Sequence, residues 1–169
     1  MKVIILSLAL VFTGMVANAQ KLNINTDDAE VKFEFPADKT SGTVSGFKCE
    51  IEFDMKNLSK SKMTGTVDVN TLETGNKGRD KHLKSADFFD AAKFSTMKFV
   101  STAMVEGKTD VQMTGDLTIK DKTLPCTINF KYEEGVFKGK TTIDASKYGV
   151  SPGKKDGTVN ITFIIPIAK

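Results

Sequence analysis

The side chains that most often carry out chemistry are scarce in this sequence. His82 is the only histidine among 169 residues, and there is no tryptophan. A Ser-His-Asp triad or a Cys-His pair would therefore have to use His82. Its neighbours Arg79, Asp80, Lys81 and Lys84 are charged, which is typical of a solvated helix surface. We therefore predict no catalytic residue and no enzymatic activity.

A metal or cofactor site is not indicated either. Asp80, His82, Asp87 and Asp90 could be proposed as metal ligands, but their spacing matches no compact motif. A structural zinc site would also need more Cys or His residues. We predict no metal and no cofactor.

Basic residues gather near the junction between the preceding strand and the predicted helix, at Lys77, Arg79, Lys81 and Lys84. Such a cluster is usually a solvated face, and the alternative is a mouth that receives an acidic head group such as phosphate. The whole chain carries a net charge of only +3 at pH 7. Because long-range attraction to nucleic acid needs a larger positive charge, no nucleic-acid partner is expected.

The first residues have the pattern of a secretory signal peptide. Met1-Lys2 is basic, residues 3–16 are almost all apolar, and Ala17-Asn18-Ala19 fits a cleavage site. We predict cleavage after Ala19 and a single domain at residues 20–169, located in the periplasm or secreted. The apolar run is short for a membrane span. The rest of the sequence has no apolar stretch of membrane length, so the mature chain is expected to have no integral membrane segment.

Alternation of apolar and polar residues dominates the rest of the chain. Residues 29–35, 47–53, 111–119, 124–132 and 159–167 all follow a period of two. This period predicts about eight antiparallel strands, each with one apolar face turned to a shared interior. Both a sandwich and a closed barrel fit this pattern. The segment from Asn76 to Phe94 does not alternate, and it predicts a short helix followed by a loop.

Glycines and cysteines on the predicted inner faces leave two questions open. Gly65, Gly115 and Gly139 lie in phase with inward apolar residues. They either permit a bend or bulge of the strand or leave room for a ligand, and the two interpretations are compatible. Cys49 and Cys126 either form one disulfide in an oxidising compartment or pack as free apolar residues.

A longer string resembles a known family. Residues 71–90, TLETGNKGRDKHLKSADFFD, resemble the Thr-Gly, Arg-Asp-x-x-Leu and Asp-Phe-Phe-Asp elements of the YceI-like family. Residues 115–120, Leu124-Pro125 and residues 147–150 are similar to its later segments. The resemblance covers essentially the whole mature chain. It is less complete near the start, where family histidines have no counterpart.

The resemblance implies a lipocalin-like antiparallel β-barrel of about eight strands with one short helical segment. It also implies a binding protein that holds a polyisoprenoid or isoprenoid quinone in an apolar lumen, with no covalent chemistry. The alternative is an envelope stress or interaction protein with a solid core, and a homodimer is also open. Our candidates for the lumen lining are the inward residues Phe33, Phe47, Ile51, Phe53, Met63, Gly65, Val67, Val69, Phe99, Met113, Gly115, Leu117, Ile128, Phe130, Ile161 and Phe163.

Overall fold

A computed structural model of the chain describes residues 19–150, 153 and 156–168. The predicted signal peptide falls almost entirely on residues 1–18, which lie outside the described residues. The described part of the chain forms ten strands in one antiparallel sheet and one α-helix. The elements are β1 (Gln20–Leu22), β2 (Glu30–Phe35), β3 (Thr40–Val44), β4 (Lys48–Phe53), β5 (Lys62–Asp68), α1 (Lys77–Lys84), β6 (Thr96–Glu106), β7 (Val111–Ile119), β8 (Lys122–Glu133), β9 (Val136–Asp144) and β10 (Thr158–Pro166).

The sheet curls into a barrel, and backbone hydrogen bonds join each of its two edges to another segment of the chain. The strand order is β1-β4-β5-β6-β7-β8-β9-β10-β2-β3. Beyond β1, Ile24 forms an antiparallel bridge with Ile167 at the end of β10. In β3, Thr43 exchanges two backbone hydrogen bonds of 2.9 and 3.0 Å with Glu73. The predicted antiparallel β-barrel is confirmed.

The strand count differs from the prediction, with ten strands described instead of about eight. The sequence pattern gave no sign of β3, whose inward residues are Thr40, Gly42 and Val44. Two of these three are too small or too polar to produce a hydrophobic alternation. Gly42 pairs with Phe33 on β2, and a Cβ at Gly42 would overlap the Phe33 ring. The small residue therefore lets a large one turn inward on the next strand.

One end of the barrel is filled by aromatic side chains. Phe53 contacts Phe130, Tyr132 and Phe137, with ring centroids 6.1, 5.4 and 5.3 Å apart. Tilted and edge-to-face rings at these distances attract each other beyond the area they bury. Met113, which is 0% exposed, belongs to the same buried cluster. We call this region the packed end.

Helix α1 lies at the other end, and its presence confirms the prediction of a short helix in this segment. The side chain of Asn76 caps the helix by accepting a hydrogen bond of 3.0 Å from the backbone N–H of Arg79. After Ser85 the chain continues in turns, and Ala91 is buried there. Within the described residues, no helix has the length and apolar character needed to cross a membrane.

Candidate functional site

A cavity of about 540 Å³ occupies the part of the barrel between the packed end and α1. We call it the chamber. Most strands of the barrel line the chamber. Each of these strands contributes residues from the inward face of its period-two pattern. The side chains that line it are mainly aliphatic and aromatic. They include Val31, Phe33, Phe35, Phe47, Met63, Val67, Leu72, Met97, Phe99, Leu117, Ile119, Ile128, Ile143, Val159, Ile161, Phe163 and Ile165.

Two apolar clusters enclose the chamber from opposite ends. Phe99, Ile128 and Ile165 line it and also belong to the buried cluster of the packed end. At the α1 end, Tyr148 lines it together with Phe89, which follows the helix. The chamber is therefore a gap between two well-packed regions rather than a loosely packed core.

Arg79 holds α1 against the barrel beside the chamber. Its guanidinium donates to the hydroxyl of Thr40 on β3 at 3.2 Å and to the hydroxyl of Thr74 at 2.8 Å. The carboxylate of Asp80 accepts from the backbone N–H of Thr74 at 2.9 Å and from its hydroxyl. The Arg-Asp pair seen in the sequence, Arg79-Asp80, therefore serves to hold α1 in position against the barrel.

The chamber reaches solvent next to α1. His82 lines it, although 62% of the His82 side chain is exposed. The imidazole packs edge-on against Phe88 with ring centroids 4.7 Å apart. Its Nε2 lies 3.8 Å from a carboxylate oxygen of Asp87. Among the described residues, no group of three or more His, Cys, Asp or Glu side chains is placed to hold a metal ion.

The predicted lining residues fall into two groups. The structure places one group around the chamber: Phe33, Phe47, Met63, Gly65, Val67, Phe99, Leu117, Ile128, Ile161 and Phe163. The other group lies elsewhere: Ile51, Phe53, Val69, Met113, Gly115 and Phe130. Ile51, Phe53, Met113 and Phe130 belong to the packed end, where other side chains fill the interior. Val69 is buried in the turn after β5, and the Phe99 ring covers Gly115.

The three inward glycines have different roles. A Cβ at Gly115 would overlap the Phe99 ring, and one at Gly139 would overlap the Phe163 ring. Gly139 therefore makes room for an aromatic side chain of the protein itself. Gly115 makes room for the β6 backbone as well, because the same Cβ would overlap the Val100 carbonyl oxygen, beside the register shift between Ser101 and Ala103. A Cβ at Gly65 would only touch its neighbours, the nearest being Phe47 Cε2 at 3.6 Å. Of the three, Gly65 alone could accept a Cβ without displacing a neighbour, and Gly65 lines the chamber.

Several lining residues were not among the sequence candidates. Some, such as Leu72, Phe88, Phe89 and Val150, lie in turns where no alternation identifies an inward face. The adjacent aromatics of the Asp-Phe-Phe-Asp string were the available signal, because two large apolar residues in a polar segment need something to pack against.

Both cysteines are free thiols, which resolves the disulfide alternative left by the sequence. Burial, and to a lesser extent the Glu50 carboxylate, raises the pKa of Cys49 to about 12. Burial also raises the pKa of Cys126, although a contact with the Thr141 hydroxyl at 3.4 Å partly opposes this. Both thiols are therefore protonated at neutral pH. Cys126 lines the chamber, and Cys49 packs against the buried cluster of the packed end.

Comparison with known proteins agrees with this architecture. A UPF0312 protein of Vibrio cholerae is 30% identical over 158 residues, which is 84% of each chain. The structure of BcnA from Burkholderia cenocepacia superposes with a TM-score of 0.76 at 22% identity, covering 87% of this chain and 100% of that one. A polyisoprenoid binding domain from Saccharophagus degradans gives 0.59 at 13% identity, covering 89% and 97%. At 22% and 13% identity, the similarity to these two structures is a similarity of fold.

The relationship in sequence extends over nearly the whole barrel. The model of the YceI-like domain matches residues 22–167, which begin at the end of β1 and finish just after β10. The match therefore includes every strand that lines the chamber, as well as α1. This chain belongs to the YceI-like family.

Proposed function

We propose that this protein binds an apolar lipid with an isoprenoid-type chain, which lies in the chamber. The observation that carries the proposal is an apolar cavity of about 540 Å³ inside the barrel. Pockets for small molecules commonly enclose roughly 300–1,000 Å³ and are lined mainly by apolar side chains. The fold neighbour from Saccharophagus degradans is described as polyisoprenoid-binding, which makes an isoprenoid chain the first candidate.

Hydrophobic burial alone gives enough affinity for such a ligand. Each buried methylene contributes roughly 0.8 kcal/mol, so a five-carbon isoprene unit contributes up to about 4 kcal/mol. Association and ordering of the chain cost about 4–15 kcal/mol. About one to four fully buried units therefore offset this cost without a salt bridge. The chamber fits this requirement, because most of its lining is apolar and its charged or ionisable residues Asp38, Arg79 and His82 lie on the side of α1.

The ligand is bound without covalent chemistry in this proposal. The thiol of Cys126 in the chamber wall is protonated at neutral pH, and His82 lies at the surface. The alternative from the sequence, an interaction protein with a solid core, predicts no apolar space of this size. The proposal includes export from the cytoplasm, because the first nineteen residues have the pattern of a secretory signal peptide. N-terminal sequencing of the protein from its own cells should then begin at Gln20.

The experiment is a binding measurement with isoprenoid alcohols of increasing length. Equilibrium dialysis of the purified protein with labelled farnesol and geranylgeraniol should show one bound molecule, with tighter binding of the longer alcohol. A linear alcohol with the same number of carbons serves as the control for chain shape. Failure of every one of these alcohols to bind would refute the proposal.

A further inference from the structure

The hydrogen-bonded ladder between β8 and β9 ends before either strand does. It runs from Glu133, paired with Val136, only to Asn129, paired with Lys140. Both strands continue beyond this point, and each remains fully paired with its other neighbour, β7 or β10. The barrel wall therefore divides between residues 122–128 of β8 and residues 141–144 of β9. We call the groove along this division the slot.

Pro125 fits this division. In an antiparallel strand, the N–H and C=O of one residue point toward the same neighbouring strand. The carbonyl of Thr127 accepts a hydrogen bond from the Thr141 hydroxyl of β9, so Thr127 faces β9, and Pro125, two residues earlier, faces it as well. Proline has no N–H to donate and is tolerated where a strand edge is unpaired. The chain thus carries a residue suited to an open edge at the slot.

The slot lies against the chamber, with only side chains between them. Five residues line both spaces: Cys126, Thr141, Ile143, Tyr148 and Ile161. Among the described residues, the Thr141 hydroxyl links the two sides of this division: it lies 2.7 Å from the Thr127 carbonyl and 3.4 Å from the Cys126 sulfur. A rotation of the Thr141 side chain would break this link. No backbone ladder has to be broken to connect the two spaces.

The outer lining of the slot is polar and basic, in contrast to the chamber. Lys140 and Lys147 line it together with Asn129 and Asn160. Within the described residues, neither lysine has a carboxylate at ion-pair distance. The Asp144 carboxylate also lines the slot, but it accepts hydrogen bonds from the backbone N–H and hydroxyl of Ser146. The side-chain Oδ1 of Asn129 is buried and has no partner among the described residues.

We propose that the slot holds an acidic, phosphate-type head group of the lipid whose chain occupies the chamber. This inference rests on the proposed function and adds the position and charge of the head group. An apolar space next to a basic, hydrogen-bonding groove matches an amphiphile with an anionic end. Two ammonium groups attract the phosphate oxygens. The guanidinium of Arg79, at the α1 end, is already hydrogen-bonded to neutral oxygens of the protein.

The test compares geranylgeraniol with geranylgeranyl monophosphate, which differ only in the head group. The wild-type protein should bind the phosphate ester about tenfold more tightly than the alcohol. The double variant Lys140→Gln, Lys147→Gln should lose this gain and bind the alcohol with unchanged affinity. Lys62→Gln is the matched control, because Lys62 is exposed on β5, away from the slot. Inorganic phosphate at the same concentrations should neither bind nor displace the ester.

Each other outcome overturns the inference. An ester that binds no more tightly than the alcohol, or a gain that survives in the double variant, would exclude the slot as the head-group site while the proposed function stands. Loss of the gain in Arg79→Gln instead would place the head group beside α1. Inorganic phosphate that competes as strongly as the ester would make the slot a site for free phosphate. If neither lipid binds the wild-type protein, the proposed function fails and this inference fails with it.

Discussion

Valine in place of Gly65 should fill part of the chamber and weaken lipid binding while the barrel stays folded. Gly65 lines the chamber, and a Cβ there would meet Phe47 at 3.6 Å and Lys48 and Met63 at 3.9 Å. These are ordinary van der Waals distances. Valine suits a strand, and replacing glycine in a strand removes a conformational cost. We therefore expect unchanged or slightly higher thermal stability.

The expected loss of affinity follows from the space that the valine takes. Its three side-chain carbons displace about as many carbons of the ligand chain, at roughly 0.8 kcal/mol each. The net loss is about 2 kcal/mol, or about thirtyfold in Kd. A chamber that holds the isoprenoid chain cannot accept this substitution without such a loss.

The assay is the titration of geranylgeraniol, with thermal unfolding measured on the same samples. Thr64→Val is the matched control, because Thr64 is the preceding residue of β5 and points to the opposite face of the sheet. The control should bind like the wild type. A folded Gly65→Val protein with wild-type affinity would refute the placement of the ligand in the chamber.

Three further substitutions test the packing around the chamber. Gly139→Ala should destabilise the fold by about 1–3 kcal/mol, because the added Cβ would overlap the Phe163 ring. In urea denaturation, the additional substitution Phe163→Leu should recover part of this loss. If the losses of the two substitutions were fully additive, the steric explanation would be contradicted. Phe130→Ala should lower the free energy of unfolding by about 3–5 kcal/mol. The affinity of the folded protein for lipid should not change, since Phe130 lies in the packed end. A parallel loss of affinity would show that the binding site extends into that end. Because the pKa of Cys49 is raised from 9.0 to about 12, the unfolded chain releases this proton before the folded chain does, so stability falls as pH rises above 9. Urea denaturation at pH 8 and pH 10 should show that Cys49→Ala abolishes about 1.4 kcal/mol of this fall, and an equal fall in both proteins would contradict the burial of the thiol.

Period-two alternation predicted most of the fold because it reports which face of a strand is buried. The runs at residues 47–53, 111–119 and 124–132 became β4, β7 and β8 with their apolar residues inward. The pattern could not report β3, since its inward Gly42 is covered by Phe33 from the neighbouring strand. A strand with glycine at its inward position has no apolar side chain there, so it shows no hydrophobic alternation in the sequence.

The position of the chamber was only partly predictable for a related reason. Alternation gives the face of each strand but not the height along the barrel at which the interior is filled. Ile51 and Met63 are cross-strand partners, yet Ile51 packs into the filled end and Met63 lines the chamber. That distinction depends on whether side chains from the opposite wall reach the same level, as Phe130 and Phe137 do at the packed end.

Pro125 was a signal of a different kind. A proline inside an otherwise regular alternation indicates a strand with an unpaired edge, and the early end of the β8–β9 ladder agrees with that rule. The sequence alone could not show that this edge borders the chamber, because the contact depends on Thr141 and Tyr148, which arrive from later segments of the chain.

The central claim is that the chamber carries an isoprenoid-type lipid, and the most direct test is to ask what the protein holds when it is isolated. The protein is purified from the cells that make it, without added lipid, extracted with organic solvent, and the extract is analysed by mass spectrometry. We predict one isoprenoid-type molecule per protein chain. A protein that is empty, and that also fails to take up added isoprenoids, would contradict the account.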